Sequence, residues 1–67
     1  MYKFLIGNKA AKNTYDRIFK IIDRHSTFFR VNTENEYQTE EGYVLEFKEI
    51  PVDAIEKICE LKHVEQI

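Results

Sequence analysis

The sequence predicts an α+β domain in which a four-stranded antiparallel sheet carries two helices on one face. Three observations predict it. Apolar residues alternate with polar ones in "YKFLI" (2–6) and again in "YVLEFKEI" (43–50). They recur at helical spacing in "NTYDRIFKIIDRH" (13–25) and "VDAIEKICELK" (52–62). The two periods follow one another as strand, helix, strand, strand, helix, strand, and 67 residues leave room for a single domain over 1–67.

In the first strand Tyr2, Phe4 and Ile6 alternate against Lys3 and Leu5, and Gly7-Asn8 reads as a turn that ends it. The first helix carries Tyr15, Ile18, Phe19 and Ile22 at i, i+3, i+4 and i+7. Asn13 is placed to cap it, and Asp16 stands near the positive end of its dipole. "FFRVNT" (28–33) resumes the two-residue period and predicts the second strand, with Phe29 and Val31 against Phe28, Arg30 and Asn32. The polar run "ENEYQTEEG" (34–42) predicts a hairpin connection. In the third strand Tyr43, Leu45 and Phe47 face one way, and Val44, Glu46 and Lys48 the other.

Pro51 suits the first turn of the second helix and pushes Ile50 out of helical angles. The apolar side of that helix is read as Val52, Ile55, Ile58 and Cys59, widened by Ala54 and Leu61. "HVEQI" closes the sheet as a short fourth strand. Two crossovers of this kind put both helices on one face and leave the other face open, the ferredoxin-like βαββαβ arrangement.

Composition narrows the function classes. A single cysteine, Cys59, excludes an internal disulfide and a cysteine-rich zinc site, and no cofactor is expected. The apolar run near the N-terminus is too short for a signal peptide or a membrane span, so a cytoplasmic location is expected. A chain this short buries only about 60% of its unfolded surface, which favours association with a partner or with a second copy. Net charge is −2, but residues 1–33 sum to +5 and residues 34–67 to −7. The expectation is that the two halves face each other and partly neutralise, because a fold this small spans about two Debye lengths.

The chain resembles an RNA-recognition-motif domain. "FLIGN" stands where that family has its first-strand motif, "GYVLEF" where it has its third-strand motif, and the two helical stretches fit its helices. The resemblance implies the same fold, with a nucleic-acid platform of aromatic rings on the open sheet face. Carried over position by position, the rings are missing: Leu5, Val44 and Gly42 occupy the three places, and Glu40 and Glu41 replace the basic residue that opens the third-strand motif. Each lost stack removes about 1–3 kcal/mol, and acids at the hairpin repel phosphate.

No catalytic constellation emerges. Cys59 and His63 have helical spacing but make only two ligands, and Cys59 is read as a small packing residue. Asp23, His25 and Ser26 are sequence neighbours that point apart, so they do not make a triad. "GNKAAKNT" lacks the glycine and lysine placement of a phosphate-binding loop. An enzyme is not expected.

Two surfaces remain for a protein partner. One is the open sheet face, where Leu5, Phe28 and Val44 are ringed by Lys3, Arg30, Glu46 and Lys48. The other is a hairpin on which Glu34, Glu36, Glu40 and Glu41 would gather at one end of the domain. The reading is a non-enzymatic protein-interaction module. Its size and Lys/Glu-rich composition look similar to small phage and mobile-element inhibitors that block a host or defence protein sterically. The alternative is a minimal RNA- or DNA-binding domain using the basic first helix, through Lys9, Lys12, Arg17, Lys20 and Arg24. A third is a small-molecule sensor built from paired domains, which the scarcity of glycine disfavours.

Overall fold

The computed structural model describes residues 1–26 and 31–67, without the side chain of Ala10. The elements are β1 (Tyr2–Gly7), α1 (Ala11–His25), β2 (Asn35–Gln38), β3 (Gly42–Phe47), α2 (Val52–Cys59) and β4 (Val64–Gln66). They form one antiparallel sheet in the order β2-β3-β1-β4, the ferredoxin-like arrangement. No helix among the described residues is long and apolar enough to cross a membrane.

The register explains the core. Phe4 pairs with Leu45, Ile6 with Tyr43, and Tyr2 with Phe47, so these side chains share the face that the helices cover. Phe4, Ile6, Leu45 and Phe47 are fully buried there, joined by Ile18 and Ile22 of α1 and Ala54 and Ile58 of α2. The Phe4 and Phe47 rings meet edge-on with centroids 6.1 Å apart, an arrangement that adds to simple burial. Leu5 and Val44, paired across the same two strands, point the other way and lie outside this core.

Four expectations about the elements are corrected. Of the second strand expected at 28–33, Phe28, Phe29 and Arg30 lie outside the described residues, and 31–33 are not in a strand. The strand that pairs with β3 is Asn35–Gln38, inside the stretch read as a hairpin connection. Its polar composition suits an edge strand, which needs a partner on one side only. The first helix begins earlier than Asn13: a 3-10 turn over Asn8–Ala10 runs straight into α1, so Asn13 sits within the helix. Nor does Gly7-Asn8 end β1 as a turn. Gly7 is still in the strand, where its N–H donates to the His63 carbonyl at 2.9 Å. Asn8 links the 3-10 turn to the hairpin, accepting from Gln38 Nε2 at 2.7 Å.

The buried face of α2 is also rotated from the expected one. Ala54 and Ile58 are buried and Ile55 and Leu61 pack beside them, whereas Val52 is 67% exposed and Cys59 is exposed. At 100° per residue Ala54 and Ile58 stand 40° apart, and Val52 falls on the far side of the helix from both. Pro51 lies just outside α2 and its carbonyl accepts from Ile55 N–H, opening the first turn.

Gly42 begins β3 opposite Gly7. A Cβ at Gly42 would fall inside the carbonyl of Ile6, so only glycine lets β3 approach β1 this closely at the hairpin end. Thr39 closes the hairpin, its backbone N–H and its hydroxyl both donating to the Gly42 carbonyl, at 2.7 and 2.8 Å.

Candidate functional site

The uncovered side of the sheet is laid out by the register. One row across it runs Tyr37, Val44, Leu5, Glu65 on β2, β3, β1 and β4. The neighbouring row runs Asn35, Glu46 and Lys3, continued by Ile67, whose N–H donates to the Lys3 carbonyl. Val44 is 2% exposed, Leu5 half-buried, Tyr37 38% exposed and Ile67 59% exposed. Together with Thr39, Glu40 and Glu41 these four line a shallow depression of about 360 Å³. A second depression of about 280 Å³ adjoins it through Leu5 and Glu41 and reaches His63 and Glu65.

The face therefore has an apolar centre, and its edges carry Glu40, Glu41, Glu46 and Glu65 against Lys3 and Lys62. Interfaces between proteins share this anatomy, with an apolar middle and a charged rim. Leu5, Val44 and Gly42 stand on β1 and β3 as expected, with no ring among them. One ring on the open face escaped the sequence reading: Tyr37. Contact with the Glu46 carboxylate, ahead of burial, raises its pKa above the ordinary tyrosine value. The pattern in "NEYQ" carries no signal for it, because a lone Tyr among polar residues does not say which side of an edge strand it occupies.

Glu36, expected on the acidic hairpin, lies on the other face of the sheet. Adjacent strand residues point to opposite sides, so Tyr37 facing outward puts Glu36 under the helix layer. There it accepts three hydroxyls: Thr33 at 2.7 Å, Tyr43 at 2.9 Å, and Tyr15 at 3.0 and 3.1 Å to its two oxygens. Burial would raise its pKa, but the donors Thr33, Tyr43 and Tyr15 outweigh burial and hold the carboxyl below its ordinary value. The same contact acts on the phenols. Burial, then the bond to Glu36 and its charge, push Tyr15 up to about 12, and the bond to Glu36 raises Tyr43. Glu36 therefore fastens β2 to α1 and β3.

The expected acidic cluster is broken up. Glu40 and Glu41 sit together at the hairpin, while Glu34 precedes β2, where its N–H donates to the Glu46 carbonyl. Glu34 and Glu40 therefore stand beyond opposite ends of β2. Of the residues expected on the open face, Phe28 and Arg30 lie outside the described residues.

The basic residues of α1 divide in two. Arg17, Lys20 and Arg24 surround a groove of about 230 Å³ floored by Ile21 and Leu61. Lys12 lies on the opposite shoulder of the helix, in a depression with Tyr15, Glu36 and Tyr43, and Lys9 belongs to the preceding 3-10 turn. Measured from Ile18, which points into the core, Arg17, Arg24 and Lys20 fall 100–160° to one side, and Asp16 and Asp23 fall on the other. Among the described residues the one ion pair within 4.0 Å is Lys57–Glu60, so none of the three groove cations is paired.

The two halves meet in part, with Lys3 of β1 directly opposite Glu46 of β3 and Lys12 beside Glu36. The basic groove and the acidic rim lie on opposite sides of the domain, with the sheet and the helix layer between them. Cys59 Sγ lies 3.7 Å from Gln66 Oε1, and no group of three or more metal-ligating side chains occurs among the described residues. No family model, curated protein or solved structure matches this chain.

Proposed function

We propose that the chain is a non-enzymatic interaction module that docks on another protein through its open sheet face, with Glu40 and Glu41 at the rim. The observation that carries this reading is the patch of Leu5, Val44, Tyr37 and Ile67, apolar at its centre and bordered by four carboxylates and two lysines, Lys3 and Lys62. A partner surface that is apolar in the middle and basic at the edge complements it, and opposite charge at the rim steers encounter. The finer reading is steric inhibition, in the manner of the small phage and mobile-element inhibitors that the chain resembles in size and composition.

The polar centre at Glu36 supports a binding role over a catalytic one. Its carboxylate is occupied by three donors and its pKa is lowered, the wrong direction for a general acid. The test is affinity capture with the unchanged chain and with Leu5→Arg. Loss of a specific partner with Leu5→Arg, while the melting temperature holds, supports the reading. Equal recovery by both chains contradicts it.

One observation favours the nucleic-acid alternative, the unpaired set Arg17, Lys20 and Arg24 on one helix shoulder. Against it, among the described residues the open face offers one ring, Tyr37, and stacking on a single ring is worth about 1–3 kcal/mol. A salt-sensitive gel shift with random RNA, abolished by Arg17→Glu with Lys20→Glu, would bring that alternative forward.

A further inference from the structure

We infer that the open sheet face of one copy receives the basic α1 groove of the next, so that the chain associates with itself head to tail. The inference rests on the sheet face being a docking surface and names one occupant for it. Each patch has an apolar floor and a charged rim, net negative on the sheet face and positive on the groove. The sheet face has an apolar floor and a rim on which Glu40, Glu41, Glu46 and Glu65 outnumber Lys3 and Lys62. The groove has an apolar floor, Ile21 and Leu61, and a rim of Arg17, Lys20 and Arg24. The two cannot meet within one chain, because α1 lies on the covered side of the sheet and turns its cations away from it. Between two chains nothing separates them.

Charge also selects the symmetry. A two-fold contact between sheet faces would set the acidic rim against its own copy, and a two-fold contact between grooves would do the same with the three cations. Like charges so placed oppose association. A heterologous contact pairs acid with base and leaves one free patch at each end, so it propagates into chains or closes into rings. The contact is ionic at its rim, and screening shortens its reach from about 10 Å at 0.1 M salt to about 3 Å at 1 M.

Sedimentation velocity on three chains tests this: the unchanged chain, Leu5→Arg with the sheet face spoiled, and Arg17→Gln with Arg24→Gln with the groove spoiled. Far-UV circular dichroism first establishes that all three are folded. The unchanged chain should grow in mass with concentration at low salt, and its association should weaken by about tenfold or more near 1 M salt. Each variant alone should be monomeric. An equal mixture of the two should form a species of two chains and nothing larger, because it retains one good face and one good groove.

A monomeric unchanged chain, unimpaired assembly by either variant, or a monomeric mixture would overturn the inference. These outcomes are separable from failure of the docking reading. If the unchanged chain is monomeric but Leu5→Arg still abolishes capture of another protein, self-association falls and the sheet-face interface stands. If Leu5→Arg affects neither, both fall.

Discussion

Replacing Glu36 by glutamine removes one acceptor oxygen and the negative charge from three hydroxyls at once. Hydrogen bonds to a charged group contribute about 1.5–3 kcal/mol each when shielded, but this site is partly open and water can replace part of the loss. Glutamine also keeps one carbonyl acceptor. The net cost for Glu36→Gln is therefore about 1–2 kcal/mol, or a fall of about 5–15 °C in Tm for a domain of this length. The pH dependence gives the loss a signature. The folded-state pKa of Glu36 is lowered, so its contribution is complete above the unfolded value of 4.5 and is lost as pH falls through the lower folded value.

At the alkaline end the sign reverses. Tyr15 is raised from 10.0 to about 12, so its contribution is complete below pH 10.0 and is lost as pH rises through about 12. Thermal melts of both chains across this range, with the tyrosinate absorbance titration alongside, measure the effect. The gap in Tm should be largest near neutrality and narrow toward acid pH, and the most alkaline tyrosine should titrate closer to 10.0 in the variant. An unchanged Tm at neutral pH, or an unshifted tyrosine titration, would refute the linkage between β2 and α1.

Other substitutions probe the fold and the face. Gly42→Ala forces a Cβ into the Ile6 carbonyl and should cost about 3 kcal/mol, read as a lowered urea midpoint. Ile58→Ala should destabilise by about 2–5 kcal/mol, while Cys59→Ser should fall within about 0.5 kcal/mol, which checks by urea titration which side of α2 is buried. Leu5→Arg should leave Tm nearly unchanged, because Leu5 lies outside the helix-covered core. A large fall in Tm would assign Leu5 a packing role.

Where apolar residues alternate or recur at full strength, the fold is legible. β1 and β3 follow from Phe4, Ile6, Leu45 and Phe47, whose period leaves one register for burial. α1 follows from Ile18 and Ile22 with Tyr15 and Phe19 beside them. β2 was not legible, because an edge strand over a small core needs few apolar residues, and "FFRVNT" carries a stronger alternating pattern than "NEYQ". With β2 placed at 28–33, Glu36 falls on a hairpin tip and Tyr37 does not reach the open face. The α2 face is ambiguous in the sequence because Val52, Ile55 and Cys59 also lie close on the helical wheel. Only the packing of Ala54 against the core decides between the two stripes. The separation of charge across the domain has no signature in the net value of −2, since it depends on which faces the topology turns apart.

The docking claim is tested most directly by photo-crosslinking from defined positions. A photo-reactive residue replacing Leu5 should attach to a protein, and the same residue replacing the exposed Glu56 on α2 should attach to little or nothing. Adducts with nucleic acid from position 5, or equal protein adducts from positions 5 and 56, would contradict the assignment of the open sheet face as the contact surface.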